Sequence, residues 1–119
     1  MLSLPAAVRV YLAPGATDMR KSFDALQALV DQVLGEDPFS GHLFAFCNRR
    51  QDRVKILCWD RHGFVLYYKR LEAGTFAWPA PTRDGRVELT PADLSLLLEG
   101  IELESVTRRP RYQRPAPNF

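Results

Sequence analysis

The residues with the clearest chemical potential lie in the segment 48–70, NRRQDRVKILCWDRHGFVLYYKR. Seven basic and two acidic side chains give it a local balance of +5, in a chain whose formal net charge is +2. Cations contact phosphates and aromatic rings stack on bases, so the mixture favours nucleic-acid binding. Arginine outnumbers lysine thirteen to three in the whole chain, and guanidinium groups suit forked phosphate contacts. The alternative is a solvated sheet face whose rings are covered by a helix or a partner protein.

A period of two predicts which of these side chains share a face. The predicted outward face holds Arg53, Lys55, Leu57, Trp59, Val65, Tyr67 and Lys69. Even-numbered residues then face the core, so Ile56 pairs with Tyr68 and Cys58 with Leu66. This register needs a three-residue loop at residues 61–63, with glycine in the left-handed conformation.

The same register places Lys55 directly opposite Lys69. Like charges across a ladder destabilise it, within a typical range of ~0.2–1 kcal/mol. We therefore predict from the sequence that Lys55→Glu slightly raises stability and weakens nucleic-acid binding.

A second basic pair, Arg20 and Lys21, falls in the first turn of a predicted helix, where the helix dipole disfavours cations. Two interpretations are open. Either Asp18 and Asp24 neutralise the pair, or the cations and the free backbone N–H groups of the helix form a phosphate site. The residues predicted to contact nucleic acid are Arg20, Lys21, Arg49, Arg50, Arg53, Lys55, Trp59, Arg61, Tyr67, Lys69 and Arg70.

Catalytic and metal chemistry have little support in this sequence. Metal-dependent strand transfer needs converging carboxylates, whereas the acids are scattered along the chain. The set His42, Cys47, Cys58 and His62 lacks the close ligand pairs of zinc knuckles. We predict no enzymatic activity, no metal and no cofactor, and two buried free thiols.

The pattern of apolar residues predicts the elements that position the basic segment. A strand at 8–13 precedes an amphipathic helix over residues 19–34, and three adjacent strands follow as a meander. RVEL at 86–89 adds a short edge strand. A second helix is indicated by Thr90 as cap, Pro91 at the first position, Asp93 in the first turn and Gly100 after the end. The predicted fold class is α+β, a mostly antiparallel meander covered by one long amphipathic helix, with a short C-terminal helix.

The domain organisation predicted from composition is one α+β domain at 1–104 and a basic, proline-rich disordered tail at 105–119. Residues 108–119 of the tail, RRPRYQRPAPNF, have almost nothing to bury, so their loss should not prevent folding. No apolar run approaches the ~18 residues that span a bilayer, and a cytoplasmic location is expected.

Three segments together resemble a known family: TDMRKSFDAL, DPFSGHLFAFCNRRQDRVKILCWDRHGFVLYYKRLEAGTFAWP and LTPADLSLLLEGI. Over residues 8–103 the chain is similar to the IS66 Orf2-like (TnpB) accessory proteins of bacterial insertion sequences. The resemblance implies a cytoplasmic, non-catalytic protein needed for transposition, while a separate transposase cuts the strands. The expected partners are DNA at the element ends, the transposase and the element's other accessory protein. The alternative is a protein–protein adaptor of the transposase complex that does not touch DNA.

Overall fold

A computed structural model describes residues 7–80 and 87–100 of the chain. The elements in chain order are β1 (Val10–Leu12), α1 (Phe23–Gln32), β2 (Leu43–Cys47), β3 (Arg53–Asp60), β4 (Gly63–Arg70), β5 (Val87–Leu89) and α2 (Pro91–Leu98). The strands form one sheet in the order β4-β3-β2-β1-β5. β1 and β2 run parallel, and the other neighbours run antiparallel.

The predicted fold class is therefore wrong: the sheet is mixed, and no long amphipathic helix covers it in the described part of the chain. The parallel β1–β2 pair comes from a crossover through α1, a non-local pairing that strand patterns do not reveal. α1 has ten residues and begins after Ser22, whose backbone is extended. Met19 and Leu34 lie outside the helix but pack in the same core cluster as its residues. Their spacing matches a helical period, which is why the sequence predicts a longer helix than the structure has.

Both faces of the sheet are covered, and each has its own apolar cluster. On the α1 face the buried residues are Tyr11, Ala13, Leu26, Val30, Leu34, Phe44, Phe46 and Leu57. On the α2 face they are Val10, Leu12, Leu43, Ala45, Cys47, Val54, Ile56, Phe76, Leu94, Leu97 and Leu98. The central strand β2 is buried along its whole length because it contributes side chains to both clusters.

The predicted β3–β4 register is also wrong. The hairpin closes through two residues, Arg61 and His62, with Asp60 opposite Gly63. Arg61 itself takes the left-handed conformation, with φ of 56°. Relative to the prediction the pairing shifts by one residue, so Ile56 lies opposite Tyr67. A shift of one exchanges the two faces of a strand, and even residues of β4 join odd residues of β3.

α2 agrees with its sequence prediction. The Thr90 side chain accepts a hydrogen bond from the Asp93 backbone N–H at 3.1 Å, and the Asp93 carboxylate accepts one from the Thr90 N–H at 3.4 Å. Pro91 occupies the start of the helix, and Gly100 follows its end with φ of 80°. The predicted edge strand is likewise confirmed as β5, which pairs with β1.

Cys47 and Cys58 are both free thiols. Cys47 is buried, and this burial raises the pKa of its thiol to about 12, so it stays protonated at neutral pH. Cys58 is only half-buried, which corrects the prediction of two buried thiols. No helix in the described ranges is long and apolar enough to span a membrane. The predicted tail at 105–119 lies outside the described residues.

Candidate nucleic-acid interface

Two connections meet at the carboxyl ends of the parallel strands β1 and β2. The first, residues 13–22, leads into α1, and the second, residues 48–52, leads into β3. The first stays against the sheet because the Ala13 N–H donates to the Ala45 carbonyl at 2.9 Å and the Thr17 N–H to the Cys47 carbonyl at 2.8 Å. Loops at this edge of a sheet commonly form ligand sites.

Asn48 determines the shape of the second connection. Its side-chain oxygen accepts hydrogen bonds from the backbone N–H groups of Asp52 and Arg53, at 3.1 and 3.0 Å. Its amide nitrogen donates to the Asp52 carboxylate at 2.6 Å. These contacts fix the turn and leave the side chains of Arg49 and Arg50 exposed at its tip.

A cleft of about 570 Å³ lies between the two connections. Its lining residues are Ala16, Thr17, Asp18, Met19, Asn48, Arg49, Arg50, Asp52 and Arg53. Three of these are arginines, and a fourth, Arg70, lies opposite Arg53 at the end of the β3–β4 ladder. We call Arg49, Arg50, Arg53 and Arg70 the arginine end of the sheet.

The guanidinium groups of the arginine end are only partly compensated. Arg70 contacts Glu72, with its Nη2 2.9 Å from the carboxylate, and both side chains are more than half exposed. Arg53 donates from Nη1 to the Tyr68 hydroxyl at 3.3 Å, which is a neutral partner. Exposed ion pairs contribute little stability, so a phosphate can compete for these groups.

Arg20 and Lys21 lie before α1 and not in its first turn, so that placement is corrected. Arg20 is held by Asp18, which accepts from Arg20 Nη2 at 2.7 Å and from its Nε at 3.0 Å. These bonds, with one from the Arg20 backbone N–H, lower the pKa of the Asp18 carboxyl to about 2. Asp18 therefore neutralises Arg20, as the first of the two interpretations predicts, while the Lys21 side chain is exposed.

Lys55 is buried, with 6% of its surface accessible. Its ammonium donates to the carbonyls of Met19 and Lys21, both at 2.7 Å, and lies 4.7 Å from the centroid of the Tyr68 ring. The side chain thus ties β3 to the start of α1. The prediction that Lys55 faces Lys69 is wrong, because Tyr68 is its cross-strand partner.

The remaining predicted residues lie elsewhere. Tyr67 and Lys69 lie on the α2 face, where Tyr67 packs against the core and the Lys69 ammonium donates to the Leu98 carbonyl at 3.0 Å. Trp59 and Arg61 lie at the opposite end of the hairpin, roughly 20 Å from Arg53 along the strand. The structure thus does not bring the eleven predicted residues together on one face.

Trp59 belongs to an aromatic cluster with Phe39 and Phe64. The Trp59 ring centroid is 5.0 Å from each of the other two, and those two are 5.2 Å apart. Trp59 is half-buried in this cluster, whereas Phe39 is 53% exposed. The predicted exposure of Trp59 on an open face is therefore corrected.

Two residues at the site were missed by sequence reasoning. Tyr68 was assigned to the core, yet 48% of its surface is exposed beside Arg53. A two-residue hairpin loop, weighed against the three-residue one, would have placed it correctly. Asn48 carried a usable signal, because asparagine after a strand commonly organises a turn through hydrogen bonds from nearby backbone N–H groups to its side chain.

Metal binding has no assembled ligand set in residues 7–80 and 87–100. No three His, Cys, Asp or Glu side chains there are close enough to hold an ion. His42 instead accepts a hydrogen bond at Nδ1 from the Arg9 backbone N–H, at 3.0 Å.

The chain is thus a mixed-sheet protein with a helix on each face of the sheet and a basic cleft at one end. The family model described as IS66 Orf2 like protein matches residues 8–108, and the chain belongs to this family. The family indicates an accessory role in transposition.

Two relatives from Sinorhizobium fredii are similar to the chain over most of their length. Uncharacterized protein y4jC is 36% identical over 115 residues, which is 97% of each chain. Uncharacterized protein y4hO is 41% identical over 102 residues, covering 86% of this chain and 88% of the relative. No solved structure matches.

Proposed function

We propose that this protein is a non-catalytic accessory factor of insertion-sequence transposition that binds DNA through the arginine end of the sheet. Arg49, Arg50, Arg53 and Arg70 contact backbone phosphates, and the exposed Lys21 side chain extends the basic surface. Phosphate contacts position a protein on DNA without reading its sequence. The expected binding therefore depends strongly on salt and weakly on sequence.

One observation carries the proposal: Arg53 and Arg70 lie directly opposite each other on the same face, next to a cleft lined by Arg49 and Arg50. Placing like charges across a ladder costs stability in the isolated protein. A phosphate between the guanidinium groups would turn that repulsion into attraction. An anionic ligand at this position would therefore account for the arrangement.

The test compares two double variants that remove the same charge from opposite ends of the sheet. Arg49→Ser/Arg50→Ser removes two exposed arginines from the cleft. Arg9→Ser/Arg61→Ser, the matched control, removes two exposed arginines from the opposite end. Gel-shift or anisotropy titrations use a duplex from the element end and a random duplex, each at two salt concentrations.

We expect the cleft variant to bind both duplexes more weakly, with a salt slope smaller by roughly two phosphate contacts. The control variant should stay close to the wild type. Equal losses in the two variants would mean that net charge alone matters and would contradict the proposed site. Absence of DNA binding at low salt, together with co-purification of the transposase, would replace DNA binding by an adaptor role.

The adaptor role is the second candidate function, and the aromatic cluster favours it. Phe39, Trp59 and Phe64 form a partly exposed apolar surface at the end of the sheet opposite the arginine end. Exposed aromatic side chains of this kind are common anchors in protein interfaces. Trp59→Ala and Phe39→Ala should then weaken retention of the transposase without changing DNA affinity.

A further inference from the structure

Tyr68 is an aromatic ring held in place beside the arginine end. The Lys55 ammonium lies against the ring, 4.7 Å from its centroid, and Lys55 is itself fixed by the carbonyls of Met19 and Lys21. Arg53 donates to the Tyr68 hydroxyl. The ring is therefore anchored at both its face and its hydroxyl.

The exposed part of Tyr68 is available to a ligand. Lys55 lies over one side of the ring, and 48% of the residue is exposed despite this contact. An exposed ring that is already ordered loses little conformational entropy when it is covered. Leu66 and Arg70 lie two residues to either side of Tyr68 on the same face of β4, so a ligand on the ring is next to an apolar side chain and a guanidinium group.

The chemistry next to the ring identifies the ligand. Flat apolar surface with guanidinium groups at its border matches a nucleobase attached to its phosphates. Bases in a duplex are stacked on each other and cannot reach a ring on a sheet surface, whereas bases in a single strand are free to do so. Stacking on this ring therefore predicts tighter binding of single-stranded DNA than of double-stranded DNA.

We infer that Tyr68 stacks on a base of single-stranded DNA whose phosphates lie on the arginine end. This inference rests on the proposed DNA-binding function and adds a preference for single strands.

The test measures the anisotropy of labelled oligothymidylate and of a duplex of equal length with the full-length protein. Tyr68→Leu removes the ring, and Tyr68→Phe keeps the ring but removes the hydroxyl bonded to Arg53. We expect Tyr68→Leu to bind the single strand roughly ten-fold more weakly, within the range found for one lost stacking contact. Duplex affinity should change less than two-fold, about the scatter of such titrations, and Tyr68→Phe should keep most of the single-strand affinity.

Two outcomes would overturn the inference. Unchanged single-strand binding by Tyr68→Leu would remove the ring from the site, and equal losses on both DNA forms would deny the preference. If Arg49→Ser/Arg50→Ser weakens both forms while Tyr68→Leu changes neither, the proposed function stands and only this inference fails. If the arginine variant binds like the wild type, the proposed function fails first.

A second measurement needs no variant and so does not depend on folding of Tyr68→Leu. Oligothymidylate carrying bromodeoxyuridine is cross-linked to the wild-type protein by light, and the modified peptide is located by mass spectrometry. A cross-link at Tyr68 supports stacking. Cross-links confined to the hairpin tip around Arg61, or to α2, would contradict it.

Discussion

Arg53 of β3 lies directly opposite Arg70 of β4, in the last pair of the longest ladder in the sheet. The two guanidinium groups share a face with Tyr68 and Lys55, while the neighbouring pair, Val54 and Lys69, points to the other face. Positive charge on this hairpin is thus divided between the face that carries Arg53, Lys55 and Arg70 and the α2 face, where the Lys69 ammonium donates to the Leu98 carbonyl.

Arg70→Gln should therefore separate binding from folding. The change removes the cross-strand repulsion and the exposed ion pair with Glu72, so stability should stay within about 0.5 kcal/mol of the wild type. DNA affinity should fall, and the salt slope should decrease by about one contact. Thermal unfolding and anisotropy at several salt concentrations measure both. Arg61→Gln at the far end is the control, and equal DNA affinity of both variants would count against the arginine end.

Lys55→Met should destabilise the protein, whereas the sequence alone predicts that Lys55→Glu slightly stabilises it. The change leaves two carbonyls without their charged donor, and we expect a loss of roughly 2–4 kcal/mol in the free energy of unfolding. Lys55→Glu should cost at least as much because it buries a carboxylate beside those oxygens. Urea denaturation measures the effect.

Lys69→Met is the matched control for that change, since the Lys69 ammonium makes a bond to one carbonyl, that of Leu98. We expect a smaller loss of about 1–2 kcal/mol. A Lys55→Met protein as stable as the Lys69→Met protein would show that the contacts at the start of α1 contribute little.

Trp59→Ala should lower stability without changing DNA affinity. The ring is half-buried and makes edge contacts with Phe39 and Phe64, so the expected loss is roughly 1–3 kcal/mol. DNA affinity should remain that of the wild type because the cluster lies at the end of the hairpin opposite Arg53 and Arg70. Chemical denaturation and a DNA titration of the same preparation provide the two values. A loss of DNA affinity with unchanged stability would restore Trp59 to the binding surface.

Asp18→Asn should strengthen DNA binding. Asparagine keeps a side-chain oxygen to accept from the Arg20 backbone N–H, as Asp18 does at 2.9 Å, but it lacks the charge that holds the guanidinium. Arg20 is then available to phosphate at the edge of the cleft. The salt slope should increase by about one contact. The double variant Asp18→Asn/Arg20→Gln should lose this gain. Asp60→Asn at the far end of the hairpin is the control for net charge because it changes the charge by the same amount, and an equal gain there would assign the effect to net charge.

The Asp18 carboxyl should titrate unusually low. Its folded pKa of about 2 lies below its ordinary value of 3.8 because Arg20 hydrogen-bonds to the charged form. A depressed pKa contributes stability that is present above 3.8 and lost as the pH falls through about 2. The carboxyl carbon shift measured by NMR should show this midpoint, and Arg20→Gln should move it upward. A midpoint near 3.8 in the wild type would mean that the ion pair does not persist in solution.

Some of this structure follows from neighbouring residues alone. Thr90, Pro91 and Asp93 form a cap whose partners are three residues apart, so the start of α2 is local information. The apolar alternation of β2, β3 and β4 likewise identified three strands. The charge and aromatic content of residues 48–70 indicated nucleic-acid binding as a function to test.

The sequence by itself determined where most of the strands and the second helix form, because caps, turns and alternation depend on residues close in the chain. Tertiary structure decided where α1 begins, because the Lys55 ammonium binds the carbonyl of Lys21, which lies 34 residues earlier in the chain. It also decided that β1 lies parallel to β2 and that the hairpin closes in two residues. That last choice moved Tyr68 to the exposed face and Tyr67 to the core side, because a strand shifted by one residue presents its opposite face.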